Sequence, residues 1–244
     1  MTVVRPPLFD RWAELYDATY AAKGKDYRGE AARVLELARE RLPGGAVRSL
    51  LDVACGTGEH LRWFGEEVTV AGVDRSEAML AVARRKLPGV PLHRADMTAF
   101  ALDRRFDVVT CLFSSVGYLA EEAELQAAIR SMAEHLEPGG LLVVEPALTP
   151  ERLRPPRTST LELPWRGAQV RRTTSARHQG EVLRIRFDYA IERNGRTERL
   201  SEEQPVRLFP GAAYPRALRA AGLAVEHDPE GLTGVGLYLG RALR

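Results

Sequence analysis

Short apolar runs alternate with helical patterns between residues 48 and 145. This alternation is typical of parallel strands that are joined by crossover helices. Ser76 is suited to cap the helix after the second run. Apolar residues at helical spacing (Leu125, Ile129, Met132 and Leu136) indicate a later helix that stops at Pro138-Gly139-Gly140. The five predicted strands are Ser49–Ala54, Val68–Asp74, Pro91–Arg94, Phe106–Phe113 and Leu141–Glu145.

After Pro146 the pattern changes to a period of two. Apolar residues alternate with mostly charged ones from Leu183 to Glu192, which predicts a strand with two unlike faces. Asn194-Gly195 follows and favours a tight hairpin. The segment from Arg196 to Phe209 is therefore predicted to return antiparallel to this strand, with Gln169–Arg177 as a third strand.

The last part of the chain should complete the main sheet. A helix is predicted over Tyr214–Ala221, followed by apolar runs at Leu223–Glu226 and Gly236–Gly240. The prediction is an α/β fold with a doubly wound, mostly parallel seven-stranded sheet and an antiparallel β extension after strand 5. We expect a single domain over 1–244 that divides into an N-terminal helical lid (1–47), a cofactor-binding core (48–145), an extension for substrate or dimer contacts (146–209) and a C-terminal helix with the final strands (210–244).

Composition narrows the class of protein. The chain has 244 residues, of which 45% are hydrophobic and 28% charged, and these are globular values. It contains no uncharged apolar run of 18 residues and begins without an apolar signal core, so a soluble cytoplasmic protein without a membrane partner is expected. Cys55 and Cys111 lie in apolar runs, and the five histidines lack ligand spacing, which argues against a disulfide framework and a metal site.

Charge is unevenly distributed along the chain. Residues 1–150 carry 18 basic and 22 acidic side chains, whereas 151–244 carry 17 and 11, so the second part has a net charge of +6. A guanidinium fork suits a diphosphate, which makes Arg171 and Arg172 candidate substrate ligands, with Arg207 as a third. A solvated strand face is the alternative. The overall charge of +2 without a dominant basic face does not favour nucleic acid.

The first predicted strand runs into a glycine turn, Asp52-Val53-Ala54-Cys55-Gly56-Thr57-Gly58. Glycines at a strand-to-helix turn let a ligand approach the backbone at the edge of the sheet where cofactors bind. The dinucleotide version of this turn needs a third glycine where the chain has Leu61. An NAD-linked oxidoreductase is therefore disfavoured.

The glycine turn resembles the first motif of class I S-adenosylmethionine-dependent methyltransferases. Three further segments make the chain similar to the N,N-dimethyltransferases of nucleotide-linked amino sugars: Lys23-Gly24-Lys25-Asp26-Tyr27, Phe113-Ser114-Ser115-Val116-Gly117-Tyr118-Leu119 and His135-Leu136-Glu137-Pro138-Gly139-Gly140. The resemblance implies a Rossmann-like methyltransferase fold, S-adenosylmethionine as the cofactor, a dTDP-linked deoxy amino sugar as the substrate and a role in antibiotic biosynthesis. Ala54 departs from the motif glycine, and Pro146-Ala147-Leu148 stands where the sugar enzymes carry two tryptophans after the proline.

The resemblance assigns the acids that follow three successive strands. Asp52 would accept from the cofactor ammonium, Asp74 would bind both ribose hydroxyls, and Asp96 would accept from the adenine amino group. Gly56 and Gly58 would allow close approach of the methionine part. The remaining expected cofactor contacts are Tyr16, Tyr27, Ala54, Arg75, Met79, Met97, Leu112 and Phe113.

On the acceptor side, Ser114, Ser115 and Tyr118 follow the fourth strand, which faces the transferred methyl in this superfamily. Methyl transfer from a sulfonium is an in-line displacement, so alignment of the acceptor lone pair matters more than acid–base power. Tyr118 could orient the amine or relay its proton, and Tyr16 in the lid is the other catalytic candidate. Tyr16 precedes the first predicted strand, and Tyr118 follows the fourth.

Several alternatives stay open at this point. The change at Ala147 and Leu148 leaves an N- or O-methyltransferase of another small metabolite as the alternative function. A non-catalytic cofactor-binding module, whose extension mainly pairs subunits, is a further alternative. A homodimer through the extension is compatible with either.

Overall fold

The computed structural model describes residues 13–152 and 158–243. Its strands are β1 (Ser49–Val53), β2 (Thr69–Asp74), β3 (Leu92–Arg94), β4 (Phe106–Cys111), β5 (Leu136–Val144), β6 (Ser159–Trp165), β7 (Ala168–Gln179), β8 (Val182–Arg193), β9 (Arg196–Arg207), β10 (Leu223–Asp228) and β11 (Leu237–Ala242). Its helices are α1 (Ala13–Ala22), α2 (Tyr27–Arg41), α3 (Glu59–Phe64), α4 (Glu77–Lys86), α5 (Glu122–Glu134) and α6 (Ala213–Ala220). Short 3₁₀ helices lie at Pro43–Gly45, Ser115–Tyr118 and Pro150–Arg152.

Seven strands form the main sheet in the order β10-β11-β5-β4-β1-β2-β3. The pairs among β1 to β5 are parallel, and β11 runs antiparallel to both of its neighbours. Leu51 of β1 packs with α5 and α6, whereas the adjacent Leu50 packs with α2, α3 and α4. Helices therefore cover both faces, and the predicted doubly wound, mostly parallel sheet is confirmed.

The helix that leads into β5 is shorter than predicted. It ends at Glu134, and Leu136 starts β5 instead of closing the helix. The Nδ1 atom of His135 lies 2.7 Å from the Ser131 carbonyl oxygen, and the Leu102 N–H donates to its Nε2 at 2.9 Å. These bonds cap α5 at this point, and a register shift against β4 accommodates the following Pro138-Gly139-Gly140 within the strand.

The extension is a separate antiparallel sheet of four strands in the order β6-β7-β8-β9. The predicted hairpin is present between β8 and β9, where Asn194 (φ 51°) and Gly195 (φ 72°) both adopt left-handed conformations. The strand β6 was not predicted from the sequence. It contains Pro164, which weakens the strand signal but is tolerated because β6 lies at the sheet edge.

Helix α1 packs against both the extension and helix α4 of the core. Leu15 of α1 packs with apolar residues of the inner face of the extension, including Val170 and Phe187. Ala13 of the same helix packs with Met79 and Val82 of α4. Within the described part of the chain, no helix is long and apolar enough to cross a membrane.

Candidate active site

A cavity of about 470 Å³ lies where the loops after the parallel strands, helix α1 and the inner face of the extension meet. The loops contribute Ala54, Gly56, Asp74, Arg75, Ser76, Met79, Ala95, Asp96, Met97, Phe113, Ser114, Ser115, Tyr118, Leu119, Ala147 and Leu148. Helix α1 contributes Leu15, Tyr16, Thr19 and Tyr20. The extension and the loop after it contribute Arg172, Leu183, Ile185, Phe187, Tyr189, Gln204, Val206 and Leu208. Most of the predicted site residues therefore line one cavity.

A second pocket of about 40 Å³ adjoins this cavity. The two share five lining residues, namely Tyr16, Ala54, Gly56, Phe113 and Ser115. The smaller pocket adds the predicted residues Tyr27, Asp52 and Leu112. Gly58 is the one predicted cofactor residue that lines neither space.

The glycine turn adopts a left-handed backbone at Ala54 (φ 59°), Gly56 (φ 55°) and Gly58 (φ 79°). A Cβ atom added to Gly56 would meet no atom within 4 Å, since this backbone faces open space. A Cβ atom added to Gly58 would lie 2.8 Å from the Cδ1 atom of Leu87. Gly56 thus exposes backbone to the cavity, while Gly58 lets the turn pack closely against the end of α4.

Asp74 joins the glycine turn to the end of β2. Its Oδ2 atom accepts from the Gly56 N–H, and its Oδ1 atom accepts from the Ser76 N–H, both at 2.8 Å. Asp96 accepts from the N–H and the hydroxyl of Thr98. Burial alone would raise the pKa of Asp96, but these hydrogen bonds and the charge of Arg75 hold that pKa below its ordinary value. Both carboxylates line the cavity, where a carboxylate can accept hydrogen bonds from a ligand.

Asp52 lies in the smaller pocket and is only 3% exposed. Thr110 Oγ1 donates to its Oδ1 atom at 2.7 Å. Burial raises the pKa of this carboxyl to about 6, although His60 and the Thr110 hydroxyl act in the opposite direction. The neighbouring Tyr27 hydroxyl is buried and has no hydrogen-bond partner among the described residues. A buried carboxylate beside an unpaired hydroxyl is suited to a polar ligand that carries donors and acceptors.

Tyr27 lies against an ionic cluster of Lys25, Glu30 of α2 and His60 of α3, with its ring centre 4.9 Å from that of His60 and 5.1 Å from Lys25 Nζ. Lys25 Nζ lies 2.6 Å from Glu30 Oε1, and His60 Nε2 lies 2.8 Å from Glu30 Oε2. The Lys25 ammonium also sits 4.0 Å above the centre of the Phe113 ring. This cluster connects the segment before α2 to the loop after β4, which sequence patterns did not indicate.

Helix α1 is attached to the glycine turn through Asp17. Thr57 Oγ1 donates to Asp17 Oδ1 at 2.5 Å, and Lys86 Nζ donates to Asp17 Oδ2 at 2.7 Å. Burial raises the pKa of Asp17 despite these two partners. Glu14 of the same helix pairs with both Arg85 of α4 and Arg166 of the extension. These contacts hold α1 across the cavity.

The loop after β4 has two consecutive left-handed residues, Phe113 (φ 55°) and Ser114 (φ 60°). Glu145 stabilises it, since its Oε2 atom accepts from the Phe113 N–H and its Oε1 atom from the Thr233 hydroxyl, both at 2.5 Å. Burial raises the pKa of this fully buried carboxyl. Ser114 Oγ donates to the Pro146 carbonyl at 2.8 Å. Such strained conformations persist where the surroundings support them, often at functional sites.

Tyr118 links this loop to the extension. Its hydroxyl donates to Gln204 Oε1 at 3.0 Å, and Gln204 Nε2 donates in turn to Glu202 Oε1 at 2.9 Å. Burial raises the pKa of Tyr118, so the hydroxyl remains protonated at neutral pH. Sequence reasoning did not identify Gln204, which is buried and comes from a strand 86 residues further along the chain.

The three predicted arginines have different positions. Arg172 is 4% exposed and lines the cavity. Arg171 points to the opposite face of β7, since side chains alternate along a strand, and pairs with Glu162 at 2.7 Å. Arg207 pairs with Glu181 at 2.5 Å. Arg171 and Arg207 lie outside the cavity lining, contrary to the expectation that all three face a substrate.

Comparisons with known proteins agree with this geometry. Residues 50–140 match the family model described as a methyltransferase domain. The chain is 45% identical, over 93% of its length and 89% of the relative, to a dTDP-3-amino-3,6-dideoxy-alpha-D-glucopyranose N,N-dimethyltransferase of Streptomyces fradiae. It is 43% identical, over 93% of its length and 96% of the relative, to the dTDP-3-amino-3,4,6-trideoxy-alpha-D-glucopyranose N,N-dimethyltransferase of Streptomyces venezuelae.

Solved structures are also similar to this chain. DesVI of Streptomyces venezuelae superposes with a TM-score of 0.89 at 41% identity, covering 95% of this chain and 98% of that one. CalS10, described as an amino pentose methyltransferase from Micromonospora echinaspora with S-adenosylmethionine bound, superposes with a TM-score of 0.85 at 37% identity, covering 93% and 96%.

The residues present fit S-adenosylmethionine as the cofactor. The open backbone at Gly56, the carboxylates of Asp74 and Asp96 in the cavity, and the side chains of Asp52 and Tyr27 in the smaller pocket offer hydrogen-bonding groups to a ligand of this polarity. With similarity over nearly the whole length, the chain belongs to the class I S-adenosylmethionine-dependent methyltransferases, in the family of the sugar N,N-dimethyltransferases.

Proposed function

We propose that this enzyme transfers methyl groups from S-adenosylmethionine to the amino nitrogen of a dTDP-linked deoxy amino sugar and produces the N,N-dimethylated sugar. Three relatives with this kind of activity are 36–45% identical to the chain over 93% of its length. The observation that carries the proposal is one continuous cavity that joins the cofactor loops to a largely apolar wall of the extension. A cofactor and an acceptor bound in this cavity would meet at the loop after β4.

On the cofactor side, Asp74 binds the ribose hydroxyls, while Asp96 and Met97 bind the adenine ring. Asp52 and Tyr27 bind the amino-acid part in the smaller pocket. The cofactor supplies an electrophilic methyl group on a sulfonium. Ser114, Ser115 and Tyr118, which line the cavity after β4, would align the acceptor amine for attack on that methyl.

Tyr118 acts on the acceptor as an orienting group. Since its hydroxyl donates to Gln204, its oxygen can accept an N–H from the acceptor amine and turn the nitrogen lone pair towards the methyl. Its raised pKa makes it unsuited as a base. The amine therefore reacts in its neutral form, and the proton released from nitrogen leaves to water.

The wall of the extension suits a sugar that has lost hydroxyl groups. Leu183, Ile185, Val206 and Leu208 line this side of the cavity without offering polar side chains. Sugar hydroxyls placed here would lose their hydrogen bonds to water, whereas deoxygenated positions would not. The wall thus favours a deoxy sugar over a fully hydroxylated one.

Helix α1 serves as the lid of this site. Tyr16 and Tyr20 line the cavity from α1, and the bonds of Asp17 to Thr57 and Lys86 keep the helix closed over it. A closed lid excludes water from the reacting groups. Tyr16 contacts both ligand spaces, in keeping with a role at the junction of cofactor and acceptor.

A second candidate is an N- or O-methyltransferase that acts on another small metabolite. The observation that favours it is the presence of Ala147 and Leu148 in the cavity lining, where tryptophans are expected for the sugar enzymes. Smaller side chains leave a differently shaped acceptor space. The two candidates differ in the acceptor and share the cofactor site.

The test is methylation of synthetic dTDP-3-amino and dTDP-4-amino deoxy sugars, followed by mass spectrometry. We expect addition of first one and then two methyl groups, with none added to the matching dTDP-sugar that lacks an amine. The Asp74→Ala variant is the negative control for the cofactor site. Turnover with an amine-free metabolite, and none with any nucleotide-linked amino sugar, would favour the second candidate. No turnover with any acceptor would favour a non-catalytic cofactor-binding module.

A homodimer through the extension is a separate proposal. The outer face of the extension carries both signs of charge, with Arg171, Arg177 and Arg186 paired to Glu162 of β6, Glu203 of β9 and Asp188 of β8. Two copies could pair through such a face. Light scattering after size exclusion, at low and high salt, measures the assembly directly, and a monomer at all concentrations contradicts it.

A further inference from the structure

Arg172 is a buried cation on the inner face of the extension. Its guanidinium carbon lies 4.3 Å from the centre of the Phe187 ring, 5.8 Å from that of Tyr189 and 6.0 Å from that of Tyr20. All three rings line the cavity together with Arg172. The aromatic faces support the cation, but a ring does not replace a carboxylate or phosphate as a hydrogen-bond partner.

The guanidinium of Arg172 lacks an anionic partner. Its Nε and Nη1 atoms are buried without a hydrogen bond, and no carboxylate of the described residues lies within 4.0 Å of it. Glu202, on the same face two strands away, accepts from Gln204. By contrast, the exposed Arg171 on the same strand is paired with Glu162. A buried guanidinium without an anion is unfavourable, so the cavity is prepared for an anionic ligand.

Lys23 adds a second positive charge beside the Tyr20 ring. Its Nζ atom lies 5.5 Å from the centre of the Tyr20 ring, and no described carboxylate lies within 4.0 Å of it. Burial and then the charge of Arg172 lower the pKa of Lys23. Arg172 and the exposed Lys23 thus lie within 6.0 Å and 5.5 Å of the same Tyr20 ring, so an anion bound to Arg172 near this ring would also be attracted by the charge of Lys23.

We propose that Arg172, assisted by Lys23, binds the diphosphate of the nucleotide-linked substrate. The identity of this anion as a diphosphate rests on the proposed function. A guanidinium fork binds a diphosphate and a carboxylate by the same hydrogen bonds, so the carboxylate of the cofactor is the other anion that Arg172 could bind. The diphosphate is the better match because Arg172 lines the large cavity from the extension and is absent from the lining of the smaller pocket that contains Asp52.

The test compares Arg172→Met with Arg171→Met. Arg171 is the matched control because it is the adjacent residue of β7 and its side chain faces away from the cavity. Calorimetric titration of each purified protein uses dTDP, inorganic pyrophosphate, thymidine and S-adenosylhomocysteine. We expect Arg172→Met to weaken dTDP and pyrophosphate by about 10- to 100-fold, the range for hydrogen bonds to a charged group, and to leave S-adenosylhomocysteine unchanged. Lys23→Met should weaken the same two ligands by a smaller factor, and Arg171→Met should change none.

Thermal unfolding of the ligand-free variants separates binding from folding. Removing an unpaired buried charge should leave the melting temperature of Arg172→Met unchanged or higher than that of the parent. Arg172→Lys, which keeps the charge but loses the fork, should fall between parent and Met variant in dTDP affinity, and it replaces the Met variant if that protein does not fold.

Three results would overturn the inference. Arg172→Met could bind dTDP and pyrophosphate as tightly as the parent, or it could lose affinity for S-adenosylhomocysteine and not for the phosphate ligands. The third result is a parent enzyme that binds neither dTDP nor pyrophosphate. If the parent enzyme methylates dTDP-amino sugars and Arg172→Met binds dTDP and pyrophosphate as tightly as the parent does, this inference is wrong and the proposed function stands. Arg172-dependent pyrophosphate binding without methylation of any dTDP-amino sugar would keep the anion site and contradict the proposed function.

Discussion

The parallel core and the antiparallel extension build the two sides of the cavity in different ways. In the core, the site consists of loops at the ends of strands, with left-handed backbone at Ala54, Gly56 and Phe113 and carboxylates that bond to backbone N–H groups. In the extension, the site consists of side chains on the face of strands, such as Arg172 and Gln204. Backbone conformation shapes the core side of the cavity, whereas side chains that alternate along strands shape the extension side.

We expect this difference to assign the cofactor to the core loops and the acceptor to the extension. Parallel strands bring all their following loops to one edge, so residues far apart in sequence converge on the cofactor whatever lies inside the strands. An antiparallel sheet presents every second residue to the cavity, so its specificity depends on individual side chains. Substitutions in the core loops should therefore change cofactor affinity, and substitutions on the extension should change acceptor affinity.

The largest expected effect is on the stability of the ligand-free core. In the folded protein burial raises the pKa of Asp52 to about 6 from its ordinary value of 3.8, so folding favours the neutral carboxyl. The stability from the neutral form is fully present below pH 3.8 and is lost as pH rises through about 6. Asp52→Asn stays neutral and should raise the free energy of unfolding by up to about 3 kcal/mol at pH 7.5. Urea unfolding measures this difference.

The same Asp52→Asn variant should bind S-adenosylhomocysteine more weakly, because the ammonium loses a charged partner. The gain in stability should shrink as the pH falls towards 4, where the parent carboxyl is also neutral. An Asp52→Asn variant that is less stable than the parent at pH 7.5 would show that the ionised carboxylate is favoured in the fold.

The next effect concerns Asp74, on the cofactor side alone. Asp74→Ala removes the proposed acceptor for the ribose hydroxyls and also the bonds to the Gly56 and Ser76 N–H groups. We expect cofactor affinity to fall by about 2 kcal/mol, roughly thirtyfold, since a charge-assisted pair is lost. Titration with S-adenosylhomocysteine measures this change, and dTDP affinity should stay constant. Asp103→Ala, an exposed acid outside the cavity, is the matched control.

The core and the extension also differ in how far the sequence predicted them. The strands and the glycine turn were predictable because their signals are local, and the acids Asp52, Asp74 and Asp96 lie at or just after the ends of β1, β2 and β3. Contacts between distant segments gave no such signal: Glu145 bonds to Phe113 across 32 residues, and Tyr118 to Gln204 across 86. Which of two adjacent arginines faces the cavity depends on strand register, which the sequence pattern did not specify.

The bond between Tyr118 and Gln204 tests the junction of the two regions. Tyr118→Phe should lower kcat/KM for the acceptor by about tenfold and by no more than about a hundredfold, because alignment supplies most of the rate. Gln204→Leu should cost less, and the double variant should resemble Tyr118→Phe alone since both remove the same hydrogen bond. Cofactor affinity should not change in any of the three.

The pH profile of this reaction should follow the acceptor amine. Since Tyr118 remains protonated, the rate should rise as the amine loses its proton and should shift when an amine of different pKa is used. A loss of more than about ten-thousandfold in folded Tyr118→Phe with normal binding of both ligands would make this tyrosine an essential acid–base group.

The smallest effect concerns the motif position where the chain has alanine in place of glycine. Ala54 has a φ of 59°, a conformation that costs a residue with a Cβ atom about 1–2 kcal/mol. Glycine avoids that cost but loses about 0.5–1 kcal/mol through the greater freedom of its unfolded chain. Ala54→Gly should therefore stabilise the protein by up to about 1 kcal/mol. Ala101→Gly, at an exposed position without a positive φ, should destabilise it by about 0.5 kcal/mol.

Cofactor affinity of Ala54→Gly should remain within about fourfold of the parent, because burial of one methyl group is worth about 0.8 kcal/mol. Denaturant unfolding and S-adenosylhomocysteine titration measure the two quantities on the same samples. The opposite ranking of the two alanine variants in stability would mean that the turn is not strained at Ala54. In that case the core loops would depend on side chains as the extension does, and the contrast between the two sides of the cavity would lose its basis in backbone conformation.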